Sequence, residues 1–119
     1  MTSIIAVVSD LIFSTKITGT GKALGRPVMV ARTIERLREH LAASEKSDGK
    51  LVIVDLNVTG PDPMAAIREA KADGAQVIAY LSHVQAELAA AAKQAGADQV
   101  MARSAFTDRL PQILSNENG

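Results

Sequence analysis

The chain contains no cysteine and no tryptophan, and among its aromatics it has one tyrosine and two phenylalanines. Without thiols there can be no disulfide, no thiolate metal centre and no cysteine nucleophile, a pattern that fits a reducing compartment. An excess of one charge is missing too. Thirteen Lys plus Arg offset thirteen Asp plus Glu, so no basic surplus exists to hold phosphates, and no nucleic-acid partner is expected. Long apolar runs are absent. The first run, Ile4 to Val8, is short, has no positive flank and leads into Ser9 and Asp10, unlike a signal peptide or a membrane span. A cytoplasmic protein with no membrane partner is the expectation.

Several catalytic signatures are also lacking. A P-loop requires glycine, four residues, then Gly-Lys-Ser/Thr, because backbone amides wrap the phosphates and the hydroxyl reaches magnesium. Here Gly21-Lys22 is followed by Ala23, and Lys16 stands where the first glycine belongs. A dinucleotide fingerprint must follow the first strand at once, whereas Gly19, Gly21 and Gly25 come more than ten residues after Val8. No HExxH, no GxSxG and no histidine cluster occurs, which removes the first requirement of metalloprotease and serine-hydrolase chemistry. A conventional enzyme is not expected. A small-molecule or nucleotide-binding enzyme of flavodoxin-like layout is the third of three readings, and a cofactor co-purifying in the strand-end cleft would mark it.

What is present is a recurring pattern. Five short runs, Ile4 to Val8, Val28 to Ala31, Leu51 to Val54, Val77 to Leu81 and Val100 to Ala102, are continuously apolar. A half-exposed antiparallel strand would alternate, so these predict buried parallel strands joined by helical crossovers, a (βα)5 doubly wound sheet. Thr33 caps a helix carrying Ile34, Leu37 and Leu41 on one face and ending near Ser44. Asp62-Pro63 starts another, which Gly74 closes. Ser82 with Gln85 forms a capping box ahead of an alanine-rich helix stopped by Gly96. Small side chains from Glu87 to Lys93 permit close packing on the sheet, on a partner or on a twin subunit. Asp108 puts Pro111 in the first turn of a last helix reaching Leu114. Residues 1–114 then form the domain and 115–119 a polar tail. The first crossover, Leu11 to Gly25, is rich in β-branched residues and glycine, both poor helix formers. Phe13, Ile17 and Leu24 still share a helical face with Gly21 between, which predicts a helix held by tertiary packing. His40, beside Glu39, reads as a surface residue, and His83 as a solvent-facing one.

In an open parallel sheet, chemistry collects beyond the carboxyl ends of the strands. Strands one and three are the most apolar and therefore central and adjacent, which brings Asp10, Asp55, Ser82 and Arg103 to one rim. Two acids, a hydroxyl and a cation can hold a magnesium ion and a phosphoryl group. Simpler roles remain open: Asp10 and Ser82 as helix caps, and Asp55 as the partner of Arg103 in a structural ion pair, since a buried carboxylate needs something to hold it.

The segments Val7-Val8-Ser9-Asp10, Val54-Asp55-Leu56-Asn57, Tyr80-Leu81-Ser82-His83 and Met101-Ala102-Arg103-Ser104 resemble the response-regulator receiver family over essentially the whole chain. That resemblance implies a flavodoxin-like three-layer fold with strand order 2-1-3-4-5. It implies Asp55 as phosphoacceptor, Asp10 and Asp55 with the main-chain carbonyl of Asn57 as magnesium ligands, and Ser82 and Arg103 as groups that follow the phosphoryl oxygens. The chain departs from the family in five places. Ser9 replaces one acid of the strand-one pair, which weakens the case for magnesium. Arg103 replaces lysine, and Ser104 the proline after it. Val100 stands in place of the strand-five aromatic, and Val58-Thr59-Gly60-Pro61 replaces the Met-Pro turn. The expectation is an atypical, stand-alone receiver in two-component or phosphorelay signalling. It would take phosphate on Asp55 from a sensor kinase and change the face formed by helix four and strand five toward a downstream regulator or a second copy. The alternative is a phosphorylation-independent docking module in which Arg103 holds Asp55.

Overall fold

Continuous apolar runs need cover on both sides, and the structure supplies it. The computed structural model describes residues 3–44, 49–82 and 85–115. Five strands alternate with five helices: β1 Ser3–Val7, α1 Leu11–Ala23, β2 Val28–Ala31, α2 Ile34–Ala43, β3 Lys50–Asp55, α3 Pro63–Ala72, β4 Gln76–Leu81, α4 Ala86–Ala95, β5 Gln99–Ala102 and α5 Arg103–Ser115. All neighbouring strands pair in parallel in the order β2-β1-β3-β4-β5. Alternate residues of each strand face opposite layers. Ile5, Val7, Val52, Val54, Val77 and Ala79 pack with Leu37, Ile67 and Ala92 of α2, α3 and α4. Ile4, Ala6, Val8, Ile53 and Tyr80 pack with Phe13 and Ile17 of α1 and with Phe106, Leu110 and Leu114 of α5.

The first crossover is helical despite its composition. Phe13 and Ile17 are buried as predicted, together with Ser14 and Gly21. A Cβ built on Gly21 would lie 2.4 Å from the carbonyl oxygen of Arg26 and 2.8 Å from Cγ2 of Val28, so only glycine lets α1 come this close to the turn into β2. Leu24 does not join that face. It is the C-cap residue and 41% exposed, because the helix ends one residue before it.

Caps on α2 and α3 form as expected. Thr33 accepts from the amide of Arg36, and Asp62 accepts from the amide of Met64 with Pro63 opening the helix. Gly96 ends α4 at a φ of 119°. Three expectations need correction. Ser82 does not cap α4: the helix starts at Ala86, Gln85 is its N-cap, and no side chain caps it, because the Gln85 carboxamide is drawn to Asn57 instead. The last helix begins at Arg103, directly after β5, and runs to Ser115, so Pro111 is interior rather than first-turn. An interior proline costs about 3 kcal/mol. Phe106, Leu110 and Leu114, each 1% exposed or less, contribute roughly 1.5–3 kcal/mol apiece when buried, and together they outweigh it. His40 is half-buried, its Nε2 3.3 Å from the carbonyl oxygen of Val30. His83 and the tail segment 116–119 lie outside the described residues.

The contrast between two glycines of α1 tests this packing. Gly21→Ala should lower stability by about 1–3 kcal/mol through overpacking. Gly19→Ala, where nothing lies within 4 Å of the new methyl, should raise it by roughly 0.5–1 kcal/mol. Thermal melts of the two variants would check both signs.

Candidate functional site at the carboxyl edge of the sheet

Asp55 is the last residue of β3, an inner strand, and stands in register with Tyr80 of β4, so both side chains face the α1–α5 layer. The residue is 6% exposed. Its Oδ1 accepts from the amide of Asn57 at 2.8 Å. Burial pushes its pKa up, while that amide and the positive charge of Arg103 pull the other way.

Asp10 is in the opposite situation. Its Oδ1 accepts from the amides of Ile12 and Phe13 at 2.9 and 3.2 Å, which makes it the N-cap of α1. Its Oδ2 accepts from a terminal nitrogen of Arg103 at 2.9 Å. The Phe13 amide above all, and then the Arg103 guanidinium, hold its carboxyl below the usual carboxylate range. The expected ion pair between Asp55 and Arg103 is therefore corrected: among the described residues, the carboxylate that Arg103 pairs with is Asp10. Arg103 opens α5, and its guanidinium carbon lies 4.3 Å from the centroid of the Phe13 ring. Cation–π attraction and the cap carboxylate, both supplied by α1, steer it to the rim.

Beneath the guanidinium, Tyr80 packs against Phe106 at 4.6 Å and Phe13 at 5.2 Å between ring centroids. The Tyr80 hydroxyl and Nε of Arg103 are buried without a hydrogen-bond partner among the described residues. Burial, reinforced by the charge of Asp55, drives the phenol far above its ordinary pKa.

Two clips tie the remaining loops. Oγ of Ser9 lies 3.0 Å from Oγ1 of Thr59 and accepts from the Thr59 amide at 3.1 Å. The Asn57 side chain donates to Oε1 of Gln85 at 2.9 Å and accepts from the amide of Ser82 at 2.8 Å. Ser82 itself is exposed at the end of β4. Phe13 was findable in the sequence, since it follows the cap Asp10 by one helical turn. Tyr80 and the Asn57 clip depend on strand register and loop path, for which the sequence carries no local signal.

A hard divalent cation needs oxygen ligands that are free to turn toward it. Both oxygens of Asp10 and the hydroxyl of Ser9 are engaged elsewhere. Among the described residues no group of three or more His, Cys, Asp or Glu side chains gathers to hold a metal ion. The donor set as arranged does not fit magnesium.

No protein-family model matches the chain, and no curated protein sequence does. Solved structures do. The receiver domain of NtrX from Brucella abortus matches with a TM-score of 0.76 and 21% identity, covering 93% of each chain. The fold is that of response-regulator receiver domains. Against a longer NtrX chain the match covers 97% of this chain and 26% of that one. A two-component response regulator from Clostridium difficile matches over 100% of both chains, with a TM-score of 0.78 and 14% identity. A response regulator from Burkholderia pseudomallei, solved with a phosphorylated aspartic acid, a calcium ion and citrate, matches with a TM-score of 0.77 and 19% identity, over 98% of this chain and 68% of that one. Within this receiver fold no helix among the described residues is long and apolar enough to cross a membrane.

The two aspartates should tune stability with opposite signs. A native pKa raised above the unfolded value means that ionised Asp55 opposes folding at neutral pH, and the penalty fades as pH falls through that raised pKa. Asp55→Asn, which keeps an acceptor for the Asn57 amide, should be more stable than wild type at neutral pH, with the difference shrinking in acid. The lowered pKa of Asp10 contributes stability above its unfolded value that is lost as pH falls through the native one. Asp10→Asn should therefore be less stable at neutral pH and converge with wild type in acid. Urea denaturation from neutral pH down to about 2, below the ordinary carboxylate range, would check both.

Proposed function

We propose that the chain is a receiver-like signalling module of the two-component kind that acts by docking a protein partner and does not need phosphate on Asp55 to do so. The observation that carries this reading is the ion pair of Asp10 with Arg103. It commits the one acid left at the end of β1 and, with the Ser9–Thr59 clip, takes up the groups that would recruit magnesium for phosphoryl transfer. The docking face is the apolar groove between α4 and β5, lined by Leu81, Ala86, Ala89, Ala90, Val100 and Met101. Alanines on α4 keep it shallow and open. A downstream regulator or a second copy of the chain is the expected partner class.

One observation favours the second reading, in which a sensor kinase phosphorylates Asp55 and the signal passes to α4 and β5. Asp55 lies at the carboxyl end of an inner strand with no cation paired to it among the described residues, and the Burkholderia pseudomallei neighbour carries a phosphorylated aspartic acid. In that reading Ser82 and Arg103 follow the phosphoryl oxygens, and Asp10, Asp55 and the Asn57 carbonyl would be the metal ligands.

Mass spectrometry after incubation with a small acyl-phosphate donor, with and without magnesium, separates the two. Docking without phosphate predicts no added phosphoryl group in either arm. Magnesium-dependent addition of one phosphoryl group, abolished by Asp55→Asn, would establish the second reading in its place.

A further inference from the structure

We infer that Arg103 is the resident cation of this rim, its guanidinium seated on the Asp10 carboxylate where a divalent ion would have to bind, so that the Asp10 charge is met from within the chain without metal. Several features of the structure converge on this. Asp10 and Arg103 are 93 residues apart in sequence, yet the fold delivers them together, because Arg103 opens α5, whose buried Phe106, Leu110 and Leu114 fix it on the sheet. A cation tethered in this way is present at high effective concentration, against which a free ion must compete. The guanidinium is also held from below by the Phe13 ring, so removing it from Asp10 forfeits two interactions, both of which α1 supplies.

The remaining oxygens close the alternatives. Freeing Oδ1 of Asp10 for a metal would uncap α1, which depends on it for the amides of Ile12 and Phe13. Ser9, which offers a neutral hydroxyl, is turned to Thr59. Asp55 keeps one oxygen on the Asn57 amide. Two carboxylates and one guanidinium carry a net charge of minus one, and a divalent ion added to them would leave the rim positive beside a trapped guanidinium.

This inference shares with the docking reading only the metal-free rim, and its test does not use phosphate. Mn2+ titrated into 15N-labelled protein broadens amides near a bound ion. Wild type should show no Asp10-dependent broadening of residues 10–13 up to roughly millimolar Mn2+. Arg103→Met, which keeps apolar contact with Phe13, should bind at least about tenfold more tightly than wild type. Ser9→Asp combined with Arg103→Met should bind more tightly still, with binding lost when Asp10→Asn is added. Circular dichroism verifies that each variant is folded, and Arg103→Met alone carries the test if the double variant is not. Wild-type broadening at residues 10–13 that Asp10→Asn removes would overturn the inference. So would folded Arg103 variants that bind no better than wild type, since Arg103 would then not be what excludes the ion.

Discussion

A parallel sheet covered by helices on both faces has little room for polar chemistry except along its edges, because the residues of its inner strands that face a helix layer are cut off from water. Here that constraint governs the whole carboxyl rim. Val52, Ile53 and Val54 of β3 are at most 1% exposed, and Asp55 continues the same strand before it has cleared the layer. Burying a carboxylate at that point raises the free energy of its charged form. The neighbouring amide of Asn57 and the Arg103 charge both act against that cost.

The response is incomplete, which is informative. A cation placed directly on Asp55 would have been the simplest compensation, but α1 offers Arg103 a better seat. Its cap carboxylate and its aromatic ring lie one helical turn apart, and the guanidinium takes both. The cost falls on the interior side, where Nε of Arg103 and the hydroxyl of Tyr80 go without partners among the described residues. The stacked rings of Tyr80 and Phe106 and the tilted ring of Phe13 fill the space that a more polar arrangement would have used. Aromatic packing and rim electrostatics are thus one structure seen from two sides.

The architecture was legible because its signals are local and redundant. Five apolar runs at crossover spacing, a proline-opened helix and a glycine stop each name an element without help from the others. The weak first helix was legible for a different reason: Phe13, Ile17 and Gly21 only make sense on one buried face. The failures share a cause as well. Ser82 and Gln85 carry a capping-box pattern, but Gln85 is claimed by Asn57, a residue 28 positions away. Pro111 marks a helix start in isolation and is overruled by three buried side chains on either side of it. The partner of Arg103 could not be read from the sequence, because choosing between two carboxylates depends on distances that only the tertiary fold sets.

Likeness of fold at 14–21% identity constrains where chemistry can occur far more than which chemistry occurs. The backbone brings the ends of β1, β3, β4 and β5 together regardless of the side chains carried there. What those ends do then depends on a handful of substitutions that leave the core untouched. A serine in place of an acid removes a charge and gains a hydroxyl able to fasten the neighbouring loop. An arginine in place of a lysine brings a planar cation that can stack on an aromatic face while hydrogen-bonding in its own plane. Each change is small, and neither disturbs the packing beneath. Together they leave a rim in which Ser9 is fastened to Thr59 and Arg103 to Asp10.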